Sequence, residues 1–153
     1  MKNAVMICAV VALGFAGGCA GRPSLLPNTD PNLRETSAQL AADAAKRQYH
    51  ADAPRGGDAL ASAEYDLTFQ KIEILNYGEE DWHNVEVWVN KKYVVFIPEL
   101  RKDKQRVETI DFPYLFDDAG NCFSTNGGKT PIASIEIYRD GKMYTINDPK
   151  LAD

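Results

Sequence analysis

The sequence WHNVEVWV at residues 82–89, followed by NKK at residues 90–92 and YVVFI at residues 93–97, decides the fold class of this chain. Three valines stand at alternate positions of the first run: Val85, Val87 and Val89. This period of two is typical of a β-strand with one buried face. The polar NKK triplet predicts the tip of a hairpin that leads into the second run.

The face of residues 82–89 opposite the valines carries a different set of side chains: Trp82, Glu86 and Trp88. We expect Glu86 to point into solvent, so that Glu86→Lys changes stability little, whereas Val87→Asp buries an unpaired carboxylate. Two hypotheses are open for Trp88: it packs inside the protein, or it belongs to an exposed aromatic strip. The run at residues 93–97 is apolar on both faces, which indicates a strand that is central or covered by another element.

Further strand-like runs lie at the spacing typical of sandwiches and barrels. They are residues 65–75, 105–112, 131–139 and 142–147, with a short stretch around residues 121–123. Asp140-Gly141 predicts a type I′ hairpin turn, since both central residues of that turn need positive φ. The runs are joined by short turns without helices between them. The pattern therefore predicts an all-β fold, a single antiparallel β-sandwich of six or seven strands over residues 65–148.

An immunoglobulin-like (Ig-like) sandwich has this size and strand spacing. Further cues are an asparagine in a turn, a valine-rich strand and phenylalanines after turns: Asn76, Val85 to Val89, Phe116 and Phe123. On these cues the region resembles small Ig-like modules of bacterial lipoproteins, including the FxLyD type. The resemblance implies a module without catalytic residues.

The first 18 residues have the layout of a secretory signal peptide. Lys2 provides a short positive region, an apolar run covers residues 4–16, and small residues precede Cys19. The apolar run is too short for a transmembrane helix, which needs about 20 residues. The tetrapeptide Ala16-Gly17-Gly18-Cys19 resembles the lipobox of bacterial lipoproteins. The resemblance implies cleavage before Cys19 and lipid attachment to it, which holds the protein on a membrane of the cell envelope.

The composition of residues 19–64 predicts a tether, since this segment is rich in Ala, Pro, Gly and charged residues. Ala20 stands where an aspartate would imply inner-membrane retention, so the lipoprotein resemblance favours the outer membrane. Asp30 as N-cap and Pro31 as first helical residue predict a short helix near residues 31–49. Its thin alanine stripe leaves two hypotheses open, a spacer or a helix docked on the sandwich. We expect residues 149–153 to be a C-terminal tail.

Charge and motifs exclude several classes of function. The formal net charge is −5, so the chain lacks the excess of positive charge that nucleic-acid binding requires. The motifs HExxH, CxxC, GxSxG and GxGxxG are absent and the sequence has 2 histidines, so we expect neither a metal nor a cofactor. The sequence DDAGN at residues 117–121 is typical of a tight turn rather than of a calcium loop. Once the leader is removed and Cys19 carries lipid, we expect Cys122 to have no intrachain disulfide partner.

The sequence thus predicts a non-enzymatic, lipid-anchored envelope protein whose sandwich is an interaction or structural module with a protein or glycan partner. A second hypothesis is a glycan- or peptidoglycan-binding module that uses an exposed aromatic face around Trp88, with Tyr93 as a further ligand contact. A third is a small hydrolase whose site carries no familiar motif. An exposed aromatic cluster would favour the second hypothesis, and a deep pocket that contains His83 would favour the third.

Overall fold

The computed structural model describes residues 36–102, 107–125 and 131–146 of the chain. Within these residues the structure is mostly β, with one α-helix, α1 (Ser37–Ala44), and a 3-10 helix at Phe112–Tyr114. The strands are β1 (Arg55–Asp58), β2 (Ala61–Asp66), β3 (Lys71–Asn76), β4 (Trp82–Val89), β5 (Tyr93–Leu100), β6 (Glu108–Asp111), β7 (Ile135–Arg139) and β8 (Lys142–Thr145).

The strands form two sheets, one of five strands in the order β1-β8-β7-β4-β5 and one of three strands in the order β2-β3-β6. The prediction of an all-β fold with two packed layers is therefore confirmed. Two details differ from the prediction of six or seven antiparallel strands. The described residues contain eight strands, and β1 pairs with β8 in parallel.

The core lies between the two sheets and contains the alternate valines of β4. Its largest fully buried side chains are Ile72, Ile74, Val85, Val87, Val89, Phe112, Leu115, Ile135 and Ile137. Each of these has a relative exposure of 0–1%. The period of two in residues 82–89 thus identified the buried face of the central strand correctly.

Trp82 lies in this core, which corrects the expectation that it shares a face with Glu86 and Trp88. The alternation changes phase at Asn84, whose φ of 53° lies in the left-handed region. The pairing of β4 with β5 keeps its register on both sides of that residue. A left-handed residue within a strand turns the following side chains to the other face, so Trp82 and Val85 both point into the core.

The β-structure begins upstream of the predicted boundary at residue 65. β1 and β2 begin at Arg55 and Ala61, inside the segment that was predicted to be tether. The predicted strand at residues 65–75 is instead a hairpin in which Asp66 pairs with Lys71. The prediction of one strand there is wrong because the turn contains apolar residues, Leu67 and Phe69, where a turn usually carries glycine or asparagine.

Two predicted hairpin turns are confirmed by their backbone angles. Asp140 and Gly141 have φ of 50° and 73°, as a type I′ turn requires. Asn90 and Lys91 also have positive φ, 53° and 59°. The backbone N–H of Lys92 donates to the carbonyl of Val89 at 3.1 Å and closes the second turn.

A helix lies within the range predicted for the tether helix, and it docks on the sandwich. α1 begins after Thr36, whose hydroxyl accepts from the backbone N–H of Gln39 in a capping box. The predicted cap, Asp30, lies outside the described residues. Ala44 at the end of the helix is buried, and α1 contacts β5 and the 3-10 helix.

Several predicted features lie outside the described residues: the signal peptide at residues 1–18, Cys19 and the tail at residues 149–153. Cys122 is disulfide-bonded, which corrects the expectation that it has no partner. For the ranges that the structure covers, no helix has the length and apolar character needed to cross a bilayer.

Candidate functional site

The outer face of the five-stranded sheet carries two buried glutamates. Glu86 on β4 is 9% exposed and Glu136 on β7 is 5% exposed. In the pairing of these strands Glu86 lies opposite Tyr138 and Trp88 lies opposite Glu136, so the two carboxylates are diagonal neighbours on one face. The segment that covers them is residues 36–54, which we call the arm. Buried carboxylates require partners, and the arm supplies most of them.

Glu86 accepts hydrogen bonds from three side chains. Arg47 Nη1 donates to Glu86 Oε1 at 2.7 Å, and Trp88 Nε1 donates to Oε2 at 3.0 Å. His50 Nε2 lies 3.1 Å from the same Oε2. Burial opposes the charge of Arg47, but its hydrogen bonds to Asp43 and Glu86 prevail and raise the pKa of the guanidinium above its ordinary value. The guanidinium of Arg47 therefore remains charged at neutral pH.

Glu136 is held by Tyr49 of the arm and by Arg55, the first residue of β1. The hydroxyl of Tyr49 donates to Glu136 Oε2 at 2.6 Å, and Arg55 Nη1 donates to Oε1 at 2.6 Å. Burial raises the pKa of Tyr49, and the hydrogen bond to the carboxylate of Glu136 raises it further. The phenol consequently remains a donor at neutral pH. We use the name clasp for the two glutamates together with Arg47, Tyr49 and His50 of the arm and Arg55 of β1.

Trp88 lies beneath the arm at 2% exposure. The ring of Tyr49 meets it edge-on at 5.5 Å between centroids, and the ring of His50 meets it at 6.4 Å. His50 in turn stacks on Tyr138 at 3.6 Å. The alternative hypothesis of an exposed aromatic face at Trp88 is therefore wrong, because the arm covers that face. The packing hypothesis for Trp88 is confirmed.

Tyr93, the second predicted ligand contact, is not brought together with Trp88. Trp88 pairs with Val94 in the sheet, so Tyr93 belongs to the opposite face. Its half-buried ring packs edge-on against Phe123 of the core at 5.1 Å. Lys92 Nζ lies 5.1 Å from the centre of the same ring. The two residues therefore do not form one binding surface.

An open cleft of about 250 Å³ lies beside the clasp, between the end of α1 and the β4–β5 hairpin. Its lining includes Arg47, Trp88 and Lys91 but neither glutamate of the clasp. His83 lies exposed elsewhere on β4, opposite Glu99. For acid–base chemistry a carboxyl must reach the substrate to within hydrogen-bond distance. Both clasp carboxyls are instead engaged by protein donors beneath the arm, which is the arrangement of a structural contact.

A third buried carboxylate organises the turn at residues 117–121. Asp117 is 1% exposed, and its Oδ1 accepts from the backbone N–H groups of Ala119 at 3.1 Å and Asn121 at 2.7 Å. Lys92 Nζ lies 3.2 Å from Oδ2. Burial opposes the charge, but the hydrogen bonds from Asn121 and Lys92 prevail and lower the pKa of Asp117. The turn is therefore closed by protein donors, as the sequence predicted. No group of three or more potential metal ligands occurs among the residues the structure covers.

We predict that Asp117→Asn lowers the free energy of unfolding by roughly 1.5–3 kcal/mol at pH 7, the value of hydrogen bonds to a charged group. Because the folded pKa lies below the unfolded one, the ionised carboxylate stabilises the fold above the unfolded pKa. That contribution is lost as the pH falls below about 4. Urea titrations at several pH values should show the two proteins converging in acid. Asp118→Asn, at the exposed neighbour, is the control, and an equal effect of both changes would contradict the prediction.

Sequence reasoning missed the clasp because it assigned Glu86 to solvent. A signal was present, however. Glu86 and Glu136 each stand between apolar strand residues, and the same strand faces carry Trp88 and Tyr138. Two aromatic residues on one sheet face indicate that another element covers it. The tether also contains a dense set of donors for those carboxylates: Arg47, Tyr49, His50 and Arg55.

Comparisons of the chain with protein-family models, with curated proteins and with solved structures find no match.

Proposed function

We propose that this chain is a lipid-anchored protein of the cell envelope, and that its β-sandwich is a non-catalytic interaction or structural module. The observation that carries the proposal is the clasp. Hydrogen bonds from Arg47 and Tyr49 to the two buried glutamates fix the arm to the sheet, so the arm and the sandwich form one unit. Because these protein donors occupy both carboxylates, neither glutamate is available to a substrate, which supports a non-catalytic module. Ala20 after the lipid-bearing Cys19 favours the outer membrane.

We also propose that the sandwich is Ig-like. The order β8-β7-β4-β5 is that of the G, F, C and C′ strands of Ig domains, and β3-β6 takes the place of B and E. The parallel β1–β8 pair extends the first sheet at its edge. Trp82 in the core on β4 supports the same assignment, since Ig domains carry a buried tryptophan on strand C. Folds of this class serve many unrelated functions, so the fold supports the module but identifies no ligand.

The lipid anchor is tested by Cys19→Ser. We expect the wild-type protein to partition into the detergent phase on phase separation and the variant to lose this behaviour, because the thioether cannot form. Two acyl-type anchors hold a protein stably, whereas a single chain binds reversibly. The mass of the N-terminal peptide gives an independent measurement. A thioether-linked lipid survives reduction, whereas a disulfide at Cys19 does not.

Cys8→Ser is the matched control, because Cys8 lies in the predicted leader and its loss should leave partitioning unchanged. A Cys19→Ser variant that stays in the detergent phase would overturn the proposed anchor.

A further inference from the structure

The turn between β2 and β3 presents two exposed apolar side chains. Phe69 is 74% exposed and Leu67 is 45% exposed, and Phe69 is the most exposed large apolar residue among those the structure describes. Both stand in the four-residue connection between Asp66 and Lys71. We call residues 67–70 the tip. Hairpin turns normally carry polar residues, glycine or proline. The two exposed apolar side chains of the tip therefore indicate a surface that contacts a partner.

The tip is held in one conformation by the rest of the domain. Asp66 Oδ1 accepts from the backbone N–H groups of Thr68 at 2.8 Å and Phe69 at 3.0 Å. Gln70 has a φ of 53°, and its carbonyl accepts from the backbone N–H of Phe112 at 2.8 Å. The two apolar side chains therefore project from a preorganised turn. Binding through them costs little loss of backbone freedom.

The charges around the tip indicate what kind of surface it fits. Lys71 Nζ lies 5.9 Å from the centre of the Phe69 ring and forms an ion pair with Glu73. Asp66 and Asp111 both lie opposite Lys71 in the sheet. With one cation among three carboxylates, the surface around the tip is weakly negative. Such a tip is suited to an apolar layer beneath headgroups without net charge, and it is unsuited to an anionic surface.

The predicted tether lets the tip reach a bilayer. Sixteen residues, 20–35, separate Cys19 from Thr36 at the start of the described arm. At no more than about 3.6 Å per residue they span up to roughly 55 Å. A domain of about 100 residues has a radius of gyration of only about 13 Å. A lipid on Cys19 would thus keep the tip within reach of the membrane at high effective concentration.

We propose that Phe69 and Leu67 insert into the lipid surface to which the protein is anchored, and that this contact orients the sandwich on the membrane. The proposal rests on the lipid anchor of the proposed function. The opposite end of the β2–β3 hairpin is then directed away from the bilayer. Tyr77 lies at the opposite end of the β2–β3 hairpin, beyond the Ala61–Asn76 pair, and is 39% exposed.

Phe69→Trp and Tyr77→Trp form a matched pair of probes for this orientation. The purified full-length protein is reconstituted in phosphatidylcholine vesicles whose acyl chains carry bromine, which quenches tryptophan fluorescence at short range. The native Trp82 and Trp88 are both 2% exposed and give a constant background. We expect quenching of the added fluorescence in Phe69→Trp and none in Tyr77→Trp. Equal quenching of both variants, stronger quenching of Tyr77→Trp, or quenching of neither overturns the proposal.

The same protein without lipid separates this proposal from the anchor. The Cys19→Ser protein is added to preformed vesicles of the same composition. Its binding is compared with that of a protein that also carries Leu67→Ser and Phe69→Ser. Removal of two apolar side chains is expected to lower partitioning roughly tenfold or more. Vesicles rich in phosphatidylglycerol should bind less than neutral ones. If the wild-type protein carries no lipid on Cys19, the proposed anchor alone is refuted. If the double change in the tip leaves vesicle binding unaltered, the proposed insertion of the tip is refuted.

Discussion

Val87→Asp is expected to abolish cooperative folding of the sandwich. Val87 lies at the centre of β4 between β5 and β7 and is 0% exposed. The introduced carboxylate would face the apolar core without a donor, and burial of an unpaired polar or charged group costs several kcal/mol. That cost is comparable to the whole stability of a domain, about 5–15 kcal/mol. Circular dichroism melts should show the loss of the sharp transition.

Val107→Asp is the matched control for this prediction. The same chemical change is made there at a valine that is 44% exposed, where the carboxylate stays in water. Its effect should lie within about 0.5 kcal/mol of the wild type. If Val87→Asp retained a cooperative transition near that of the wild type, Val87 would not occupy the buried face.

The fold class followed from local patterns, because a strand's period of two is visible within eight residues. The valines of β4 and the Asp140-Gly141 turn were identified in this way. Asn84 interrupts this period of two. Its positive φ of 53° changes the phase of the strand, and asparagine adopts this region only in a minority of cases. The phase change that places Trp82 in the core therefore has no reliable signature in the sequence.

The clasp could not be derived in the same manner, because it joins residues far apart in the chain. Arg47 and Glu86 are separated by 39 positions and Arg55 and Glu136 by 81. Alternation shows that Glu86 and Trp88 share a face. Whether that face meets water depends on where the arm docks, and α1, with eight residues, is too short to be stable alone. Its position is therefore a property of the assembled structure rather than of its own sequence.

Glu86→Lys is expected to destabilise the protein strongly, contrary to what the sequence pattern alone predicts. An ammonium at this position would face the guanidinium of Arg47 and the indole N–H of Trp88, both of which now donate to the carboxylate. Breaking a buried ion pair by removal of one partner costs about 3–5 kcal/mol. The arm should detach from the sheet, and Trp88 should become exposed. Urea titration gives the loss of stability, and a red shift of tryptophan emission reports the exposure.

Glu64→Lys provides the control, since Glu64 is an exposed residue on β2 of the other sheet. The same charge reversal there should change the free energy of unfolding by no more than about 0.5 kcal/mol. Arg47→Glu combined with Glu86→Lys restores an ion pair of reversed polarity and should recover part of the lost stability, which separates charge from shape. A tolerated Glu86→Lys with unchanged tryptophan emission would mean that the arm does not depend on this carboxylate. The contacts of Glu86 would then have no part in holding the arm on the sheet.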